Sequence, residues 1–236
     1  MQTIVIAHGA LGSAEQMQPV AEAFRTLGDG AAVEVIEFPG HGRTPLSDAS
    51  VFRLAAFVDD LAAIVATHAA PPLLFGYSMG GYVGLALEAR APRTFAGIVT
   101  LGTKFHWDVA TAEREASRLD PVVIATKVPR FASALAARHD GADGWESVLV
   151  RTAALLRANA EAPLLSLEVL ERIGIPVTVA VGASDDTVTA AESQEVAAVM
   201  RQGHCVVLDG VPHPIERVPT DILVGLMRPL LGQGRA

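Results

Sequence analysis

The chain has 236 residues, half of them apolar, with 18 Lys/Arg against 26 Asp/Glu and a net charge of -8. That length suits one sizeable core with room for a small insertion, and hardly two independent domains. The acidic balance argues against a nucleic-acid partner, because phosphate contact relies on lysine and arginine.

Residues 104–172 hold 9 of the cations and 10 of the anions, leaving 9 against 16 elsewhere, so the middle is nearly neutral and the flanks are acidic. Its arginines either face water on helices or attract an anionic substrate. The single cysteine, Cys205, lies in an apolar run and excludes an internal disulfide. It reads as a buried, inert thiol that fits a reducing cytoplasm.

Thr3-Ile4-Val5-Ile6-Ala7 is the continuous β-branched run expected of a central parallel strand buried on both faces. It is too short for the apolar region of a signal peptide. The glycine-rich loop His8-Gly9-Ala10-Leu11-Gly12-Ser13 follows, and then a helix is predicted from Ala14 to Leu27, closed by Gly28. A second strand spans Ala32 to Phe38, and the turn Pro39-Gly40-His41-Gly42-Arg43-Thr44-Pro45 ends it. His41, a turn histidine between two glycines, reads as structural. Apolar residues from Phe52 to Ile64 recur near helical spacing, predicting a helix over Asp48–His68.

No residue from Leu61 to Leu87 is formally charged, but Pro71-Pro72 and later glycines break this stretch. It therefore reads as helix, break, strand and turn rather than as a membrane span.

Leu73-Leu74-Phe75-Gly76-Tyr77-Ser78-Met79-Gly80-Gly81 is a short apolar run, a serine flanked by glycines, and then helix formers. Gly76-x-Ser78-x-Gly80 matches the nucleophile elbow, a sharp strand-to-helix turn that lifts a serine hydroxyl clear of the sheet. The following helix aims free N–H groups and its positive end at the same spot. The other reading of these residues is a plain glycine-rich turn.

A further strand, Phe95–Leu101, precedes about 65 residues without a strand signal. Helix starts recur there: Asp108 before Val109, Asp120-Pro121, Pro129, Trp145, and Ser166 before Leu167. Phe105, Trp107, Phe131 and Trp145 either line a pocket or hold these helices down. A strand from Ile175 to Val181, a helix near Ala190–Met200 and a last strand His204–Leu208 resume the alternation. Residues 232–236 form a short polar tail with no evident role.

A serine nucleophile needs a base, and the base needs a group to hold its tautomer. In a parallel sheet both belong on loops after later strands, where the carboxyl ends meet. Asp185 follows one such strand and His213 follows the other, in the chain order that accompanies this elbow. Asp186 adjoins Asp185, and Asp209 lies on the histidine's own loop. The Gly182-Ala183-Ser184-Asp185 spacing favours Asp185.

These stretches, with Pro39-Gly40-His41-Gly42-Arg43-Thr44 and Pro212-His213-Pro214, resemble the α/β-hydrolase fold superfamily over nearly the whole chain. The resemblance implies a mostly parallel sheet of about six strands with helices on both faces and a helical cap. The family's first two strands are expected to be absent. The implied division is a core from residues 1–103 and 173–236 and a cap from 104–172. It also implies Ser78 as nucleophile, His213 as general base and then acid, Asp185 as the orienting carboxylate, and Ala10 and Met79 as oxyanion N–H donors.

Three functions are compatible with this likeness. One is a serine hydrolase of small carboxylic esters or thioesters. Another is a cofactor-free lyase or carbon–carbon bond hydrolase, since the oxyanion loop, the Pro-Gly-His-Gly turn and the elbow are similar to the menaquinone-pathway lyase. There, arginines such as Arg130 or Arg138 would hold carboxylates. The third is a ligand receptor on the same fold. A small-molecule partner is expected, with no cofactor, metal, nucleic acid or membrane.

Overall fold

The computed structural model describes residues 2–27, 31–46, 48, 52–141 and 143–231. Gly28, the expected helix stop, part of the predicted start of the second helix, and the 232–236 tail lie outside the described residues. The sheet contains β1 (Thr3–Ala7), β2 (Ala32–Val35), β3 (Leu73–Tyr77), β4 (Gly97–Leu101), β5 (Val177–Gly182) and β6 (Gly203–Leu208). All six strands are parallel, in the order β2-β1-β3-β4-β5-β6.

β1 lies inside the sheet; the chain moves outward from it to β2 and returns across β1 to continue on the other side. The winding therefore reverses between β1 and β3, and the loops leaving those two strands open a crevice at their carboxyl ends. The loop after Ala7 and the turn at Ser78 both lie there.

Strand side chains alternate between the two faces. Ile4, Ile6, Leu73 and Phe75 pack with α1 (Gln18–Arg25) and α10 (Thr220–Leu231), through Phe24, Leu223 and Met227. Val5, Ala7 and Leu74 pack with α2 (Leu54–Val65), α3 (Met79–Arg90) and α9 (Ala190–Val199), through Phe57, Tyr82 and Val196. The elbow helix α3 is buried from Met79 to Glu88 because it crosses the centre of the sheet. A Cβ on Gly84 would lie 2.0 Å from Leu74 Cδ2, so glycine there lets the helix sit directly on its strand.

Between β4 and β5 come α4 (Val109–Ser117), α5 (Pro121–Lys127), α6 (Pro129–Arg138), α7 (Trp145–Glu161) and α8 (Leu167–Leu170). Three of the expected starts carry the side-chain bonds that their sequence signals require. Asp108 accepts from Thr111 N at 2.6 Å, Asp120 from Val122 N and Val123 N at 2.8 and 3.1 Å, and Ser166 from Val169 N at 3.3 Å. Such caps contribute about 1 kcal/mol each. α5, α6 and α7 share a small core of Ile124, Ala132, Leu135 and Leu149, and Leu11 from the loop after β1 packs against it.

Several element boundaries differ from the sequence reading. The first helix begins at Gln18 rather than Ala14, because Pro19 is tolerated only in the first turn. The N–H of Ala14 goes instead to the Glu37 carboxylate at 3.0 Å, and that of Gln16 to Ser13 Oγ at 3.2 Å. β2 ends at Val35, and the Phe38 N–H bonds His8 Nε2 at 3.2 Å. α2 begins at Leu54. Cys205 is half-buried rather than fully buried, because it lies on the edge strand β6, and burial raises its thiol pKa. No helix among the described residues is long and apolar enough to cross a membrane.

Candidate active site

Ser78 sits between β3 and α3 with φ 50° and ψ -115°, a backbone geometry that L-residues rarely adopt. Holding it costs roughly 1–3 kcal/mol, and the surrounding glycines make it possible. A Cβ on Gly76 would lie 2.4 Å from Gly81 Cα, and one on Gly80 would lie 2.3 Å from the Ala7 carbonyl oxygen. The turn is pinned by Ser78 N–H donating to Leu101 O at 2.8 Å and by Thr103 Oγ1 donating to Ser78 O at 2.9 Å. Thr103 is a support that the motif did not reveal, because its partner lies 25 residues away.

Asp185 leaves β5 and its side chain is 2% exposed. One carboxylate oxygen accepts from Thr187 N and Val188 N at 2.8 and 2.9 Å, and the other lies 2.8 Å from His213 Nδ1. An ionised carboxylate only accepts, so Nδ1 carries the proton and Nε2 keeps its lone pair. Tyr77, the residue before Ser78, donates its hydroxyl to the His213 carbonyl at 3.0 Å. Burial raises the pKa of that phenol, so it stays a donor. Gly102, at φ 61°, faces the pair, and a Cβ there would come within 3.2 Å of both Asp185 and His213. Asp186 and Asp209 are exposed, whereas Asp185 holds the imidazole.

The loop after β1 closes a turn in which Gly12 N–H donates to Gly9 O at 3.0 Å. Its third residue, Leu11, has φ 59°, a position such turns usually give to glycine. For leucine this costs about 1–2 kcal/mol. A Cβ on Gly9 would lie 3.1 Å from Ser78 Cβ, so glycine lets the loop lie against the serine. Ala10 lines the same space as Ser78 and Met79, and Met79 opens α3, where the first N–H groups have no intrahelical acceptor.

Three buried histidines lie beside this loop, with ring centroids of His8 and His41 5.0 Å apart and those of His41 and His139 6.0 Å apart. His41 stacks on Phe52. Burial lowers its pKa far below the usual histidine range, which suits the structural reading of this residue. His139 is held near 4, chiefly by burial. The His41 ring is not part of the cavity lining, whereas Ser78 and His213 are.

A cavity of about 360 Å³ lies between the loops at the carboxyl ends of the strands and the helices that follow β4. Ser78, His213, Ala10 and Met79 line it together, with apolar walls from Leu54, Leu119, Leu155 and Leu156. Trp107 and Phe131 also line it, whereas Phe105 is buried and Trp145 packs in the helices' own core. Each of its cationic lining residues has a carboxylate partner. Lys104 lies 3.4 Å from Glu192, Arg118 3.0 Å from Glu115, and Arg138 2.8 Å from Glu216. Arg130 is exposed on α6. Glu192, buried in α9, also accepts from Phe105 N and His106 N at 2.6 and 2.7 Å and so ties the segment after β4 to α9. Among the described residues no group of three or more His, Cys, Asp or Glu is placed to hold a metal ion.

The chain is similar to two curated proteins over part of its length. It is 31% identical over 104 residues to the monoacylglycerol lipase of Mycolicibacterium smegmatis, covering 42% of this chain and 36% of the lipase. It is 32% identical over 98 residues to the biotin biosynthesis bifunctional protein BioHC of Cellvibrio japonicus, covering 42% of this chain and 18% of that protein. Each match therefore spans well under two thirds of the relative's length. The solved structure of MenH from S. aureus superposes with a TM-score of 0.74 at 21% identity, over 98% of this chain and 93% of that one. A likeness at that identity establishes the fold alone. Residues 4–224 match the model of the alpha/beta hydrolase family, and the chain belongs to that family of enzymes.

Proposed function

We propose that the chain cleaves a small, uncharged carboxylic ester or thioester through an acyl-enzyme on Ser78. Ser78 Oγ attacks the carbonyl carbon while His213 Nε2 takes its proton, and the N–H groups of Ala10 and Met79 hold the resulting oxyanion. The tetrahedral intermediate collapses with expulsion of the alcohol or thiol, which receives the proton from His213. Water then gives a proton to the same imidazole as it attacks the acyl carbon, and the second tetrahedral intermediate collapses to the acid as the imidazolium returns that proton to Ser78 Oγ. Asp185 keeps the Nδ1 proton in place and stabilises the imidazolium that forms twice per turnover.

The observation that carries this reading is that His213, held by Asp185 at 2.8 Å, lines the same cavity as a serine held at φ 50°. The helices within 104–172 act as a cap over a core made of residues 1–103 and 173–236, and they supply the apolar wall for the acyl group. The likeness to a monoacylglycerol lipase supports ester chemistry. The pairing of every cationic lining residue with a carboxylate supports a neutral substrate and weighs against a lyase that would use Arg138 or Arg130 to grip carboxylates. Turnover of short-chain p-nitrophenyl esters, abolished in Ser78→Ala and His213→Ala, tests the reading. A folded wild type that binds such esters without turning them over would instead be a receptor.

A further inference from the structure

Leu11, like Ser78, is a non-glycine residue of this site at positive φ. Its φ of 59° is disfavoured, yet its carbonyl is the meeting point of two side chains from the end of α6. Arg138 Nη1 donates to Leu11 O at 2.9 Å, and His139 Nε2 lies 3.1 Å from the same oxygen. The His139 tautomer is fixed from its other side, because Gly42 N–H donates to Nδ1 at 2.9 Å. Nε2 therefore carries the proton and donates to Leu11 O. His139 itself is buried, and the Leu11 side chain packs against the small core of Ile124, Ala132, Leu135 and Leu149.

Peptide planarity carries this grip toward Ser78. The Leu11 carbonyl and the Gly12 N–H belong to one rigid plane, with the two groups pointing in opposite directions. That N–H donates to Gly9 O at 3.0 Å, and His8 Nδ1 reaches the same oxygen at 2.8 Å. The Gly9 carbonyl shares its plane with the Ala10 N–H, so fixing one aims the other. The sequence of bonds runs from His139 and Arg138, through Leu11–Gly12, through Gly9–Ala10, to the cavity.

We propose that His139, with Arg138, is a positioning residue for the oxyanion hole, holding Leu11 in its strained turn so that the Ala10 N–H points at the developing oxygen charge. This rests on the reading of Ala10 as an oxyanion donor in an acyl-transfer reaction. The inserted helices then do more than bind the acyl group: without their last-turn residues the oxyanion loop is free to relax.

The test compares p-nitrophenyl butyrate kinetics and the rate of fluorophosphonate labelling in wild type, His139→Leu, His139→Gln and Arg138→Leu. Val148→Ala, a buried change in α7, serves as the control for general loosening of these helices. His139→Leu is expected to lower kcat about 10- to 100-fold with KM changed less than about threefold, and to slow labelling in parallel. His139→Gln, whose amide can still donate to Leu11 O, recovers part of that loss. A kcat loss no larger than that of Val148→Ala at matched melting temperature, or a loss confined to KM, overturns the proposal. Should His139→Leu not fold, Arg138→Leu and His139→Gln decide the matter by the same two criteria. A wild type that neither takes the label on Ser78 nor cleaves the ester overturns the ester-hydrolase reading and this one with it. An active wild type with indifferent His139 and Arg138 variants overturns this one alone.

Discussion

Asp185 presents one oxygen to His213 Nδ1 at 2.8 Å and surrenders the other to the backbone N–H groups of Thr187 and Val188. The carboxylate is thus locked by its own loop before it reaches the imidazole. Asp185→Asn keeps the shape but lets an amide donor face Nδ1, which favours the wrong tautomer. kcat should fall by about 10³- to 10⁴-fold with KM little changed, whereas exposed Asp186→Asn should stay within about twofold. Steady-state ester hydrolysis by the two variants checks the assignment, and the reverse order of damage would move the acid to Asp186.

Gly102 is the position where space and backbone agree. Alanine there must adopt a φ of 61° and crowd both Asp185 and His213 at 3.2 Å. Gly102→Ala is expected to lose roughly 1–2 kcal/mol of stability from backbone strain alone. Its kcat should fall further than that strain accounts for, because the pair is displaced. Urea denaturation beside ester kinetics separates the two effects.

The buried histidines make stability depend on pH. His139 titrates near 4 in the folded chain and His41 well below its ordinary 6.5, both chiefly through burial. Between about pH 6.5 and pH 4 the unfolded chain binds these protons and the folded chain does not. Folded-state stability therefore falls as pH is lowered, by about 1.4 kcal/mol per pH unit for each histidine over its window. His41→Gln should flatten the slope of the urea midpoint between pH 6.5 and 4, and an unchanged slope would contradict the burial argument.

How much of this could be read in the chain depends on how local each signal is. The elbow was legible because Gly76, Ser78 and Gly80 stand within one short stretch of the chain, although the contact that forces glycine at position 80 is with distant Ala7. The caps at Asp108, Asp120 and Ser166 were legible because each signal lies within a few residues of the bond it makes. The boundary of α1 was misplaced because the Ala14 N–H is taken by Glu37, 23 residues on. His139 gave no signal, since its meaning lies in Leu11 and Gly42, which are 128 and 97 residues away. The paired state of the cavity cations was hidden likewise, Lys104 meeting Glu192 across 88 positions.

That pairing gives a prediction about substrates. Adding a carboxylate to the acyl group, as in a succinate monoester compared with the butyrate ester of the same alcohol, should lower kcat/KM by about tenfold or more, because a desolvated charge finds no unpaired cation in the lining. A preference for the succinate ester would point to rearrangement of the Arg138–Glu216 pair on binding, and with it to the lyase-like reading.

The most direct measurement is the mass of the peptide containing Ser78 after reaction with a fluorophosphonate. A single adduct on Ser78, formed about 10³-fold or more slowly in His213→Ala, is the expected result. A folded wild type that leaves Ser78 unmodified, or labels equally fast without the imidazole of His213, would contradict the proposed nucleophile and base.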